Sequence, residues 1–193
     1  MFIDIKFPTS ISVIEDILTV KENQTLIDYS LHLKNLKEKG GREWYASTYN
    51  THGTYNIHTD KEFEHLSNLV ENHTNEFARS LNSFYDYKTS NSWLNIYYQN
   101  DYQEFHNHPR AVFSAVYTLA NPPGSGDFVI KSPTADMDMF NMCNIRGTNQ
   151  LNATTWNYSL KPRSLIIFRS YINHMVNVCK INEPRITTAF NLS

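Results

Sequence analysis

Cysteine is scarce: Cys143 and Cys179 stand far apart, with no C-x-x-C spacing, which argues against a disulfide framework and for free thiols in a reducing cytoplasm. Neither charge sign dominates, since 17 Lys and Arg against 19 Asp and Glu leave a formal net charge of −2. That balance carries no signature of a general nucleic-acid or membrane-surface binder, although it leaves a specific nucleic-acid substrate open. No apolar run approaches the roughly 18 residues that would suggest a membrane span. The first residues mix Asp4, Lys6 and Pro8 with apolar side chains, which does not suit a signal-peptide core. The expected location is therefore the cytoplasm. Internal repeats and low-complexity segments are missing as well. What is present is 40% hydrophobic and 13% aromatic residues, enough for one folded domain over residues 1–193 with a sizeable core.

Along the chain, Phe2 to Phe7 alternates apolar and charged residues and predicts a strand stopped by Pro8. A helical stretch is expected from Thr9 or Ser10. A second helix is expected from Asn23 or Thr25 to about Lys39, ended by Gly40-Gly41. Between Trp44 and Ile57 the segment reads as strand and loop. Asp60 can cap a third helix over about Lys61 to Leu81. From Ser90 the pattern turns to short β-type runs: Ser92–Gln99, Glu104–His108, Val112–Leu119, Asp127–Lys131, Thr154–Leu160, Ser164–Phe168, His174–Val178 and Arg185–Asn191. Helices followed by about eight short strands predict an α+β, mainly β domain: a jelly roll (double-stranded β-helix) with its N-terminal helices packed on one sheet. Residues 1–90 form the helical support and 91–193 the jelly-roll core, with a long insertion at about 132–157.

Within that core, His106-Asn107-His108 opens a strand, and residues two apart on a strand share a face. Two neutral imidazoles on a stiff backbone are half of a metal site; on its own, H-x-H is equally two polar residues at a strand entrance beside Pro109. His174, at the start of a later strand, is the natural third ligand. Three nitrogen donors would leave open positions on a transition metal for a bidentate ligand and dioxygen. His32, His52, His58, His65 and His73 lack such company, and only His52 and His58 lie in a segment that could reach a cleft. Arg185 opens the final strand, where a buried guanidinium is costly unless it meets an anion. Thr187 shares its face and adds a hydroxyl, while an exposed Arg on an edge strand is the plain alternative.

The order is Asn95-x-Tyr97, His106-x-His108-Pro109, the Phe113–Tyr117 strand F-S-A-V-Y, a G-S-G turn, F-R-S-Y-I-N-H-M-V at Phe168–Val176, and R-I-T-T-A-F-N at Arg185–Asn191. In this order the chain resembles the iron(II)- and 2-oxoglutarate-dependent oxygenases. More narrowly, it is similar to an H-x-H-P group with a prolyl-hydroxylase-like jelly roll, found in bacteria and phages. The likeness runs through nearly the whole chain, from F-P-T at Phe7–Thr9 onward. Ala115 stands where that group has glycine, Arg169 where it has proline, and the glycine usual after Pro162 is missing.

The resemblance implies a dioxygenase that uses Fe(II), 2-oxoglutarate and O2, hydroxylates a C–H bond and releases succinate and CO2. It implies His106, His108 and His174 as metal ligands. Arg185 and Thr187 would hold the distal carboxylate of 2-oxoglutarate, with Asn95, Tyr97, Tyr117 and Asn191 as further contacts. Most of the superfamily has Asp or Glu where His108 stands, and three histidines offset none of the ion's charge. Asp127 or Glu104, which is two residues before His106, could supply a carboxylate instead. His108 could also stand behind the metal, with water or chloride in its place. A cupin-type three-histidine dioxygenase is disfavoured, because no Glu occurs between His108 and Glu183. A non-catalytic jelly-roll binding module is the rival from another class. A peptide or small metabolite is the favoured primary substrate, with Tyr45, Tyr49, Tyr55 and the 132–157 insertion available at the entrance. The protein could act alone or as a homodimer.

Overall fold

A strand presents two faces in alternation, and in this protein both faces of the larger sheet are covered. The computed structural model describes residues 1–137 and 146–193. Its strands are β1 (Ile11–Ile14), β2 (Tyr49–Asn50), β3 (Thr89–Tyr97), β4 (Gln103–His106), β5 (Phe113–Ala120), β6 (Phe128–Lys131), β7 (Thr155–Tyr158), β8 (Leu165–Arg169), β9 (His174–Val176) and β10 (Arg185–Leu192). They form two antiparallel sheets, ordered β1-β8-β5-β10-β3-β2 and β4-β9-β6-β7. Helices α1 (Val20–Leu36) and α2 (Glu64–Ser80) pack on the six-stranded sheet. The expected α+β jelly roll is the architecture found.

Strand alternation sorts the core in two. Leu94 and Ile96 of β3, Ala115, Tyr117 and Leu119 of β5, and Ile186 and Phe190 of β10 join the helices in one buried cluster. Trp93 and Tyr97, Val116, Ile166 and Phe168, and Ala189 face the smaller sheet in the other. Each of the larger aliphatic or Phe side chains, when fully buried, contributes roughly 1.5–3 kcal/mol, and a one-residue slip of any central strand would exchange both sets at once.

Helix α1 starts earlier than expected. Thr19 and Glu22 form a reciprocal capping box, the T-x-x-E signature of a helix start. Asn23, Leu26, Ser30 and Leu33 then form the buried stripe. Asp60 caps a 3₁₀ turn, Lys61–Phe63, that leads into α2.

Two N-terminal expectations are corrected. Phe2–Phe7 has no regular structure and lies exposed, because alternation alone does not supply a neighbouring strand. The strand comes after Pro8, where a helix was expected: β-branched Ile11, Val13 and Ile14 pair with Leu165–Phe168 at the sheet edge, as their β-propensity favours. Within the 132–157 insertion, residues 138–145 with Cys143 lie outside the described residues, and Thr155–Tyr158 is strand. Cys179 is a buried free thiol. Among the described residues no helix is long and apolar enough to cross a membrane.

Gly40-Gly41 does more than follow a helix that ends at Leu36. Gly40 and Gly41 donate their N–H groups to the carbonyls of Asn50 (2.7 Å) and His52 (3.0 Å). A Cβ on Gly40 would sit 2.0 Å from the His52 carbonyl oxygen. We expect Gly40→Ala to destabilise the protein by about 1–3 kcal/mol, the usual cost of forcing extra volume into packed structure. Urea unfolding, compared with Gly147→Ala, where a Cβ meets nothing within 4 Å, is the check.

Candidate active site

Strands β4 and β9 pair antiparallel with His106 opposite His174. His108 lies just beyond β4, held by its main-chain N–H to the Ser170 carbonyl at 2.9 Å. The ring centroids are 4.2 Å (His106–His174), 5.1 Å (His106–His108) and 5.0 Å (His108–His174) apart. One ring nitrogen from each lies within 4.8 Å of the other two.

The remaining nitrogens explain how the rings are oriented. His106 Nδ1 is 2.8 Å from the Glu104 carbonyl, His174 Nδ1 is 3.0 Å from the Ile172 carbonyl, and His108 Nδ1 meets the side-chain oxygen of Asn191. A carbonyl oxygen only accepts, so each Nδ1 carries the proton and each Nε2 keeps a free lone pair, the arrangement a metal requires. Burial holds all three imidazoles neutral: it pushes His108 down to about 4, lowers His106, and takes His174 well below the usual histidine value.

No carboxylate joins this cluster among the described residues. The interval from Gln103 to His106 faces the shorter interval from Val176 to His174, a bulge that breaks the alternation of β4. Buried Gln103 rather than Glu104 therefore shares the inward side with His106. The Glu104 carboxylate instead receives the Tyr45 N–H and the Gln103 amide, both at 3.0 Å. Asp127 lines an open groove of about 430 Å³ at the Pro122–Asp127 turn, which contains none of the histidines.

Beside the triad is a cavity of about 30 Å³, room for a water or two. Its walls include Asn95, Tyr97, Arg185 and Thr187, which the β3–β10 register places as two cross-strand pairs, Arg185 opposite Tyr97 and Thr187 opposite Asn95. Asn95 donates to Thr187 Oγ1 at 3.4 Å. Burial raises the Tyr97 phenol to about 12, so it stays protonated and can donate. Arg185 is 0% exposed. Its Nη1 donates to the Gly126 carbonyl, while Nε and Nη2 find no partner among the described residues. A charged group left half-satisfied in the interior is expensive and points to an anion.

Other candidates go elsewhere. Tyr117 faces the helices and donates to Asn23 at 2.9 Å, which follows from its alternation with inward Val116. Asn191 faces His108 and Ser114. Tyr45 is exposed, Tyr49 donates to the Lys37 carbonyl and Tyr55 to Asp60. Of the two histidines singled out for a cleft, His58 bonds Ser92, whereas His52 stacks on Trp44 and meets Trp93 edge-on. Trp44 and Trp93, which motif reading passed over, stand 6.0 Å from the His106 ring and 5.4 Å from the His108 ring. The signal for Trp93 was available, since it lies two residues before Asn95 on one strand.

Convergent neutral imidazoles at one part of a double-stranded β-helix, with an unpaired guanidinium in the same cavity wall, define a metal-dependent jelly-roll enzyme. The family model described as "Putative 2OG-Fe(II) oxygenase" matches residues 91–191, just over half of the 193 residues. The chain belongs to this family of 2-oxoglutarate-dependent non-haem iron oxygenases, which use Fe(II), 2-oxoglutarate and O2. That membership sets aside the cupin alternative.

Solved structures support the fold at low identity. A Pseudomonas putida prolyl-4-hydroxylase is 11% identical over 95% of this chain and 92% of its own, with a TM-score of 0.64. A Trichoplax adhaerens prolyl hydroxylase, in complex with a hypoxia-inducible-factor peptide fragment, is 12% identical over 94% and 82%, with a TM-score of 0.66. HygX from Streptomyces hygroscopicus, with nickel, 2-oxoglutarate and hygromycin B bound, is 10% identical over 96% and 83%, with a TM-score of 0.63. No curated protein matches by sequence.

Proposed function

We propose that His106, His108 and His174 hold the iron through their Nε2 atoms, and that Arg185 with Thr187 receives the distal carboxylate of 2-oxoglutarate. The observation that carries this reading is the buried Arg185 guanidinium with Nε and Nη2 unpartnered beside the triad. Its planar fork suits a carboxylate bidentately, and the Tyr97 hydroxyl and Asn95 amide are the adjacent donors. When bound, the iron supplies dioxygen activation coupled to decarboxylation of 2-oxoglutarate to succinate and CO2, and so oxidation of a substrate C–H bond, here a hydroxylation. The chain's own residues position the co-substrate, keep the ligands neutral and exclude water. Tyr117 and Asn191 have no co-substrate contact in this reading, since their side chains are engaged elsewhere.

Trp44 and Trp93 line the small cavity beside the triad, with His52 packed against both. Residues 1–90 serve as support and the protein works as one domain in the cytoplasm, in keeping with its free Cys179. A peptide side chain is the favoured substrate, on the strength of the prolyl hydroxylases among the neighbours; HygX keeps a small molecule in view.

Anaerobic titration with Fe(II) and 2-oxoglutarate is expected to produce a weak visible charge-transfer band, and admission of air to yield succinate. A metal-loaded protein with neither band nor succinate would be a non-catalytic binding module instead.

A further inference from the structure

We propose that Asn191 is the positioning residue that makes His108 a metal donor, an inference that rests on the three-histidine site proposed above. His106 and His174 each take their Nδ1 acceptor from a main-chain carbonyl two residues back, which no side-chain substitution removes. His108 differs: its Nδ1 faces the Asn191 side-chain oxygen, supplied by another strand, with the Ser114 hydroxyl 3.1 Å away as a weaker second partner.

That oxygen is held in place by a buried relay. Ser114, directly opposite Asn191 in the β5–β10 register, donates its hydroxyl to Asn191 Oδ1 at 2.8 Å and stands 2.8 Å from the Ser170 hydroxyl. The Ser170 carbonyl in turn receives the His108 main-chain N–H. Three elements thus fix one imidazole, and Asn191 is only 8% exposed. An amide can present oxygen or nitrogen, and the choice is decisive. With oxygen toward Nδ1, the ring proton stays there and Nε2 is free. With the NH2 group there, the proton would move to Nε2 and the ring would be lost as a ligand. The Ser114 hydroxyl, 2.8 Å from Oδ1 and 3.1 Å from His108 Nδ1, can serve either orientation; we assign the first, and the tautomer of His108 is its direct readout. A neutral amide also lets a histidine stand in the carboxylate's usual place without adding charge.

The test compares anaerobic Fe(II) affinity of Asn191→Leu, Asn191→Asp and His108→Ala, with histidine ¹⁵N–¹H correlation spectra of the metal-free proteins. Asn191→Leu is expected to weaken Fe(II) binding about 10–100-fold, the usual effect of removing a ligand's outer partner, and to shift His108 away from the Nδ1–H tautomer. Asn191→Asp, which keeps the acceptor, restores both. If Asn191→Leu misfolds, Ser114→Ala is expected to move affinity and tautomer in the same direction, more weakly, and unchanged values in it count against the proposal. Wild-type affinity in Asn191→Leu, with affinity lost in His108→Ala, overturns the role of Asn191 and leaves the metal site standing. Affinity retained in His108→Ala overturns the three-histidine site itself. An Nε2–H tautomer at His108 in the metal-free wild type overturns the proposal directly.

Discussion

Arg185→Ala is expected to weaken 2-oxoglutarate binding to the metal-loaded protein by about 2–5 kcal/mol, as truncating one partner of a buried charge pair does. In affinity that is on the order of 30- to several-thousandfold. The expectation follows from burial and from the unpartnered Nε and Nη2: among the described residues no protein acceptor competes with a carboxylate that meets them. Arg185→Lys is expected to recover only part of the loss, because an ammonium cannot present two parallel N–H groups. Metal affinity without co-substrate is expected to stay near wild type in both variants, since Arg185 does not belong to the imidazole cluster. Anaerobic calorimetry measures both quantities, and co-substrate affinity within threefold of wild type in Arg185→Ala would show that the anchor lies elsewhere.

His174→Ala is expected to lose more Fe(II) affinity than the about 10–100-fold that removal of an outer partner costs, because in the proposed site it removes a ligand outright. Of the three rings it is the most deeply buried, at 3% exposed. The same burial sets the pH behaviour. Metal binding needs neutral imidazoles, and all three are pushed below the ordinary histidine value. Affinity is therefore expected to fall only below 6.5, where a free histidine would take a proton, with the His108 contribution lost on approach to about 4. Stability of the metal-free protein moves in the same sense. Below 6.5 the unfolded chain binds protons that the folded triad refuses, so stability is lost as pH falls from 6.5 toward 4. For His108 alone this is on the order of 3 kcal/mol. Metal titrations at pH 7.5, 6 and 4.5, with urea unfolding of the metal-free protein at the same values, test both statements. A loss of affinity centred near pH 6.5 would mean that the rings titrate as if exposed.

What could be read from the sequence depended on local periodicity. Asn95 with Tyr97 and Arg185 with Thr187 share faces by simple alternation, and the structure adds only that the two pairs stand opposite one another. His106 and His108 are expected to share a face of one strand, but β4 ends at His106; their convergence with His174 comes from the β4–β9 pairing and from the His108 N–H bond to the Ser170 carbonyl. The misplacements came from events that alternation does not encode. The bulge in β4 turned Glu104 away from the face it nominally shares with His106. Tyr117 was within reach of the same rule, being out of phase with Ser114 and Val116, but motif likeness outweighed it. Trp44 comes from a loop whose path is set by the contact of Gly40 with the His52 backbone, a close approach visible only in three dimensions. The contact of His108 with Asn191 was likewise hidden, because it joins residues 83 positions apart.

The neutrality of the triad has a thermodynamic corollary. With no carboxylate among the clustered side chains, a divalent ion bound there keeps both of its charges, and Arg185 adds a third across the same small cavity. Cation and dicarboxylate then become heterotropic ligands of one another. Whatever factor the metal adds to the affinity for 2-oxoglutarate, the acid must return to the metal. Ion retention in such a protein is a function of co-substrate concentration, so a preparation dialysed without 2-oxoglutarate sheds its metal sooner than one dialysed with it.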